Sequence, residues 1–167
     1  GDTVVVFAQG PIGLCATAGA RLLGATTIIA VDGNDHRLGI AQKMGADVTL
    51  NFKNCDVIDE IMKITGGRGA DSAIEALGTQ ATFESALRSI KPGGTLSSLG
   101  VYSEDLKIPL SAFAAGLGDH KINTALCPGG KERMRRLMNV LASNRLDLGL
   151  LVTHQYKLDD IVAAYDL

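Results

Sequence analysis

The chain has little sulfur and little positive charge to build a site from. Its three cysteines, Cys15, Cys55 and Cys127, are odd in number, lie far apart and form no Cys-x-x-Cys pair. That argues against a disulfide framework or a cysteine zinc site and fits a reducing compartment. Histidine is equally sparse: His36, His120 and His154 show no His-x-x-x-His spacing, so no metal site is expected. The formal net charge is −2 and basic residues do not cluster, so nucleic acid is not an expected partner. No apolar run reaches the length of a membrane span, and the opening residues lack a signal-peptide pattern. A cytoplasmic location without membrane contact is the expectation. No internal repeat, linker or low-complexity segment is visible.

What the chain does have is glycine and apolar residues. Twenty glycines stand in 167 residues, and 46% of the chain is hydrophobic. One domain with a sufficient core follows, and the glycines suit the many strand–helix turns of an α/β protein. The pattern is clearest over residues 4–32. Residues 4–7, Val-Val-Val-Phe, read as a buried strand. A tight turn with Gly10 and Gly13 follows, and Pro11 suits the first position of a helix, where an N–H has no intrahelical use. Ala16, Ala18, Gly19 and Ala20 let that helix lie close on a sheet. A second apolar strand ends at Asp32, 19 residues past Gly13. This is the strand–turn–helix–strand–acid order of a dinucleotide-binding βαβ unit. The helix N-terminus suits a pyrophosphate, since its free N–H groups and its dipole both favour an anion.

Downstream, Asn34 is placed to cap a helix through Met44, ended by Gly45. Residues 47–51 predict a third strand. Asn54 or Asp56 opens a helix carrying Val57, Ile58, Ile61 and Met62 on one side, stopped by Gly66-Gly67. Residues 71–76 predict a fourth strand, and Thr79 caps a helix with Phe83, Ala86, Leu87 and Ile90 at helical spacing. Pro92-Gly93-Gly94 predicts a turn and residues 95–100 a fifth strand. Residues 106–118 are irregular, with a short strand and a helical turn; residues 121–126 predict a sixth strand. Cys127-Pro128-Gly129-Gly130 leads into a helix with Met134, Leu137, Met138 and Leu141 on one face. Residues 151–156 look extended, and a final helix opens at residues 158–161. Alternating strands and helices predict a doubly wound six-stranded parallel Rossmann sheet, order 3-2-1-4-5-6, with helices on both faces. The opening Gly1-Asp2-Thr3 leads straight into a strand, and Leu167 falls inside a helical pattern. Residues 1–167 therefore read as one domain excised from a longer protein.

Candidate site residues follow from that fold. Ala8 holds the first fingerprint position in place of glycine, which is tolerable at negative φ. Pro11 offers no N–H, leaving Ile12 and Gly13 as the expected phosphate donors. Asp32 is placed to accept hydrogen bonds from a ribose diol and to repel a 2′-phosphate, and Arg37 can reach the same ribose or a phosphate. Glu75-Ala76-Leu77-Gly78 and Leu99-Gly100-Val101-Tyr102 end strands four and five at the carboxyl edge, where ligands bind in such sheets. Cys127 is expected to be a small buried hydrophobe rather than a nucleophile. The absence of a Tyr-x-x-x-Lys pair removes the proton donor of short-chain dehydrogenases, and no complete set of catalytic groups is present. A nucleotide-sensing module without catalysis and a methyltransferase sheet remain open on these residues.

Gly10-Pro11-Ile12-Gly13, Gly66-Gly67-Arg68-Gly69-Ala70-Asp71, Glu75-Ala76-Leu77-Gly78 and Lys91-Pro92-Gly93-Gly94 together resemble the cofactor domain of zinc-dependent medium-chain alcohol dehydrogenases. Leu126-Cys127-Pro128-Gly129-Gly130, Arg133-Met134 and Leu151-Val152-Thr153-His154 resemble the bacterial secondary-alcohol dehydrogenases in particular. The resemblance implies NAD as cofactor, a small alcohol or ketone as substrate, and a catalytic zinc carried by a domain absent here; the Gly-His-Glu zinc motif and the four-cysteine lobe are both missing. NADP-using relatives carry a small residue and an Arg near the position of Asp32, whereas this chain has Asp32 and Asn34. By the same resemblance Asp32, with Gly33 beside it, is the ribose-binding acid. Arg37 is its basic companion and Ile12 a pyrophosphate contact. Gly100, Val101 and Leu126 surround the nicotinamide. Ala76, Leu77 and Gly78 are expected only from their place at the strand end, as backbone for the adenosine ribose or the nicotinamide carboxamide. It further implies a homodimer or tetramer formed through the strand-six edge. A zinc-free quinone reductase of the same superfamily is the nearest rival.

Overall fold

Strands covered on both faces need apolar residues at every position, and the first two strands meet that demand. In the computed structural model, which describes residues 1–166, β1 (Thr3–Phe7) and β2 (Thr27–Asp32) are buried almost throughout. β3 (Val48–Asn51), β4 (Ala70–Glu75), β5 (Ile90–Ser98) and β6 (Lys121–Thr124) complete one six-stranded sheet in the order β3-β2-β1-β4-β5-β6. Every pairing is parallel. The predicted sheet and its order are those observed.

The two-residue period of the strands sorts the core into two halves. Val5, Phe7, Ile29 and Val31 face one side, under Ile61 of α3 (Val57–Ile64), Phe83, Ala86 and Leu87 of α4 (Gln80–Ser89) and Ala112 of α5 (Leu110–Ala115). Val4, Val6, Ile28 and Ala30 face the other, under Leu14 and Ala18 of α1 (Pro11–Leu22) and Leu38 and Ala41 of α2 (Asp35–Lys43). Each fully buried Val, Leu, Ile or Phe among them contributes about 1.5–3 kcal/mol, and each alanine less. The helices change face between β1 and β4, and that switch point is where a ligand crevice opens in such a sheet.

Caps fix where the helices begin. Asn34 Oδ1 accepts the N–H groups of His36 and Arg37, and Thr79 Oγ1 accepts that of Thr82, as their positions predict. Between the two candidates for α3 the cap is Asp56, whose carboxylate accepts the Asp59 N–H at 3.0 Å.

Several expectations are corrected. Residues 92–94 do not separate helix from strand: β5 already begins at Ile90, immediately after α4. The register jumps from Ala70 opposite Ile90 to Ser72 opposite Thr95. The Pro-Gly-Gly run is thus a bulge within β5, with Gly93 at φ 76°, and Ile90 fills the core from a strand rather than from the helix. β6 stops at Thr124, opposite Ser98, because β5 offers no partner beyond that residue. α6 (Lys131–Ala142) forms as predicted, yet Met134, Leu137 and Met138 stay exposed. A 3₁₀ turn at Leu148–Leu151 precedes the extended tail, and α7 spans Ile161–Tyr165. The expected truncation of the last helix at Leu167 lies outside the described residues.

Candidate nucleotide-binding site

The turn from β1 into α1 is built around two close approaches. Ala8 N–H donates to the Val31 carbonyl at 2.9 Å, and Gln9 N–H donates to Asp32 Oδ2 at 2.6 Å. Held by both, the chain passes over the end of β2, and Ala8 takes φ 69°. The expectation of a negative φ is therefore wrong: this alanine adopts the left-handed conformation that glycine adopts freely. The Ala8 carbonyl then fills the space beside Gly13, where a Cβ would come within 1.8 Å of its oxygen. Gly13 is buried and packs turn against helix. Gly10, by contrast, has nothing within 4 Å of a would-be Cβ and precedes Pro11, the first residue of α1. The first helical hydrogen bond runs from Leu14 N–H to the Gly10 carbonyl at 2.9 Å. The N–H groups of Ile12 and Gly13 therefore belong to the helix's free first turn, with the Ile12 side chain exposed.

Gln9 escaped the sequence reading. It is fully buried, its Nε2 donates to the Val6 carbonyl at 3.0 Å, and its Oε1 accepts the Thr17 hydroxyl at 3.0 Å. It pins the end of β1 to α1. Its only signal is a polar residue between an apolar strand and a glycine, where exposure is the usual outcome.

Asp32 ends β2 and is 7% exposed. Its Oδ2 holds Gln9 and its Oδ1 accepts the Asn34 N–H at 2.9 Å, so each oxygen keeps acceptor capacity for another donor. The carboxylate lines a cleft of about 430 Å³ together with Ala8, Arg37, Phe52, Val57 and Leu77. Gly33 lies under the Phe52 ring, whose Cζ stands 2.5 Å from where a Cβ would be. Phe52 and Val57 are further residues that the sequence reading missed. Phe52 sits just past β3, so its place at the carboxyl edge was the available signal.

The second group gathers at the ends of β4 and β5. Ala76 N–H donates to the Phe7 carbonyl at 3.1 Å. A Cβ on Gly100 would come within 2.2 Å of Gly78 N, and one on Gly78 within 2.4 Å of the Val101 carbonyl oxygen. The two loops touch backbone to backbone. Beneath them, Glu75 is fully buried. Burial alone would raise its carboxyl, but hydrogen bonds from Gly78, Tyr102, Thr82 and Leu77 outweigh that and hold it below its ordinary value. Leu126 lies past the end of β6 and is exposed. Cys127 is exposed, so its expected role as a buried hydrophobe is corrected: β6 ends before it, and no element covers it.

A larger cleft of about 630 Å³ lies over β4 and β5 beside α1, reaching Gly1 and Asp2. It opens on the sheet face and the amino edge, away from Asp32 and the helix N-terminus, so the smaller cleft is the better ligand candidate. Among the described residues, no group of three or more His, Cys, Asp or Glu is arranged to hold a metal. No helix among them is long and apolar enough to cross a membrane.

Comparison with known proteins adds to this geometry. The sequence model of the zinc-binding dehydrogenases matches residues 11–143. An alcohol dehydrogenase of Cupriavidus necator is 84% identical over the whole chain, which spans 46% of that protein. An NADP-dependent isopropanol dehydrogenase of Thermoanaerobacter brockii is 38% identical, again over the whole chain and 48% of that protein. Among solved structures, the alcohol dehydrogenase TADH from Thermus sp. ATN1 superposes with a TM-score of 0.90 at 30% identity, over 99% of this chain and 47% of that one.

Proposed function

The chain belongs to the zinc-binding dehydrogenase family, and we propose that it is the nicotinamide-cofactor domain of an NAD-dependent alcohol dehydrogenase. It spans about half the length of the curated relatives it matches, so the activity of the whole enzyme is part of the proposal. Family membership does not choose the cofactor, since the Thermoanaerobacter brockii relative is named NADP-dependent. The observation that carries the choice is Asp32. Its carboxylate is fixed by two backbone N–H groups and faces the cleft. A ribose diol can donate to it, whereas a 2′-phosphate would bring nearly two more negative charges beside it.

In this reading Arg37 holds the same ribose, and Gly33 lets the Phe52 ring close over the edge of the cleft beside it. Gly10 gives the pyrophosphate open access to the α1 N-terminus, where Ile12 and Gly13 donate and Pro11 sets the helix start. Ala76, Gly78, Gly100, Val101 and Leu126 offer backbone and apolar surface along the nicotinamide side, and Leu77 walls the adenosine cleft at Asp32. The bound nicotinamide supplies the hydride acceptor for an alcohol or the donor for a ketone. The zinc that the family name implies finds no ligand cluster among the described residues. In this reading its ligands lie in the rest of the parent enzyme. The isolated chain is then expected to bind the cofactor without stoichiometric zinc and without oxidising alcohol. The parent works in the cytoplasm as a dimer or tetramer joined along the β6 edge.

The test is titration of the purified chain with NADH, ATP and S-adenosylmethionine, alongside metal analysis after dialysis. Saturable NADH binding without stoichiometric zinc is expected. Failure to bind NADH, or tighter binding of S-adenosylmethionine, would overturn the assignment; one zinc per chain or alcohol-dependent NADH formation would overturn the division of labour.

A further inference from the structure

The Glu75 carboxylate accepts five hydrogen bonds. Its Oε1 takes the N–H groups of Leu77 and Gly78, each at 2.8 Å, and the Thr82 hydroxyl at 2.7 Å. Its Oε2 takes the Tyr102 hydroxyl at 2.7 Å and the Ser98 hydroxyl at 3.2 Å. The Ser98 and Tyr102 oxygens are themselves 2.6 Å apart. Four of the five donors serve local structure: Leu77, Gly78 and Thr82 belong to the β4–α4 loop and the start of α4, and Ser98 ends β5. Tyr102 alone comes from the loop between β5 and α5. Its ring is packed edge-on against Phe83, with centroids 6.2 Å apart, so the hydroxyl is aimed and not free to swing.

We propose that Tyr102 is a positioning residue: by donating to Glu75 it tethers Gly100 and Val101 against the β4–α4 loop, giving the nicotinamide end of a bound dinucleotide a fixed surface. The proposal rests on the cofactor reading above. Burial, opposed by the Ser98 hydrogen bond, and the adjacent Glu75 carboxylate push the phenol up to about 12. The tether therefore remains a donor throughout the neutral range. The effect is local by construction. Without the phenol, Oε1 keeps all three of its donors, so Leu77 still walls the cleft at Asp32. The loop that carries Gly100 and Val101 loses its side-chain tether and keeps the backbone bond from Leu99 N–H to the Glu75 carbonyl at 2.8 Å, just before Gly100. That loop follows β5, on the far side of β1 from Asp32. One half of a dinucleotide should sense the loss and the other should not.

The experiment compares NADH with AMP, which probes the adenosine end alone, on the unaltered chain and on Tyr102→Phe. The variant keeps the ring against Phe83 and removes one charge-assisted hydrogen bond. NADH affinity is expected to fall about five- to tenfold with AMP affinity unchanged, and amide hydrogen exchange at Gly100 and Val101 to quicken while Leu77 and Gly78 keep their protection. A measurement that needs no variant accompanies it: on the unaltered chain, NADH but not AMP should slow exchange at Gly100 and Val101. Equal losses of both ligands, no loss of NADH, or equal protection by AMP would overturn the positioning role. Failure of the unaltered chain to bind NADH would instead overturn the cofactor reading beneath it.

Discussion

Ala8→Gly should make the chain more stable, although it removes a methyl group. Ala8 stands at φ 69°, where an L-residue with a Cβ suffers about 1–2 kcal/mol relative to right-handed conformations. Glycine escapes that cost but loses about 0.4–1 kcal/mol through the greater freedom of its unfolded chain. The difference is a net gain centred on about 0.8 kcal/mol, within about 0–1.6 kcal/mol, or a rise in Tm centred on about 2–3 °C for a domain of this size. Urea denaturation reads it directly, as a higher midpoint with an unchanged slope. The neighbouring substitution runs the other way. Gly13→Ala would set a Cβ within 1.8 Å of the Ala8 carbonyl oxygen. That is backbone that cannot move without breaking the hydrogen bonds to Val31 and Asp32, and a loss above about 2 kcal/mol is expected. A lower midpoint for Ala8→Gly would mean that the turn is not strained and would refute this account of the fingerprint.

Acid should unfold the chain partly through Glu75 and Asp71. The hydrogen bond from Lys91, then that from Thr3, holds Asp71 below its ordinary 3.8, and Glu75 lies below its ordinary 4.5. Both folded-state values are depressed, so their contribution is complete above those ordinary values and is lost as pH falls through the folded ones. Denaturant midpoints taken between pH 7 and pH 3 should therefore drop mainly below about 4.5, and a flat profile down to pH 3 would refute it. Assembly is a second case. β6 is exposed along its whole length at the sheet edge, with Ile108, Phe113, Leu117 and Leu126 also exposed nearby in sequence. An unprotected edge invites pairing, so a two-fold dimer through residues 108–126 is expected in sedimentation. A monomer at high concentration would count against it.

The sheet was legible because its signals are local and repeated: apolar runs of strand length, caps at Asn34 and Thr79, and glycines past the helix ends. The place of Asp32 at the end of β2 was legible for the same reason, as an acid at a fixed distance from a glycine turn. What escaped depends on contacts between distant segments. Nothing in the local sequence says that Ala8 must turn left-handed, because the cause is Val31 and Asp32 on the neighbouring strand. The bulge at residues 91–94 arises from register against β4, and Pro-Gly-Gly alone reads more simply as a turn. Gln9 and Tyr102 are polar residues whose partners, Thr17 and Glu75, lie on other elements, so sequence spacing does not announce them. Helical spacing marked an apolar face on α6, and Met134, Leu137 and Met138 remain uncovered, since periodicity names a face without naming what meets it.

Cofactor choice at Asp32 tests the central claim most directly. Two hydrogen bonds from a ribose diol to a charged acceptor are worth roughly 1.5–3 kcal/mol each, and the 2′-phosphate of NADP would meet repulsion in their place. Fluorescence titration of the chain with both nucleotides should show NADH bound more tightly than NADPH by at least about tenfold, or roughly 1.4 kcal/mol. Asp32→Gly should weaken NADH and erase the preference, and adding Asn34→Arg should reverse it by giving the phosphate a bidentate partner. Equal affinity of the unaltered chain for NADH and NADPH would contradict the account, because Asp32 would then not face the ribose.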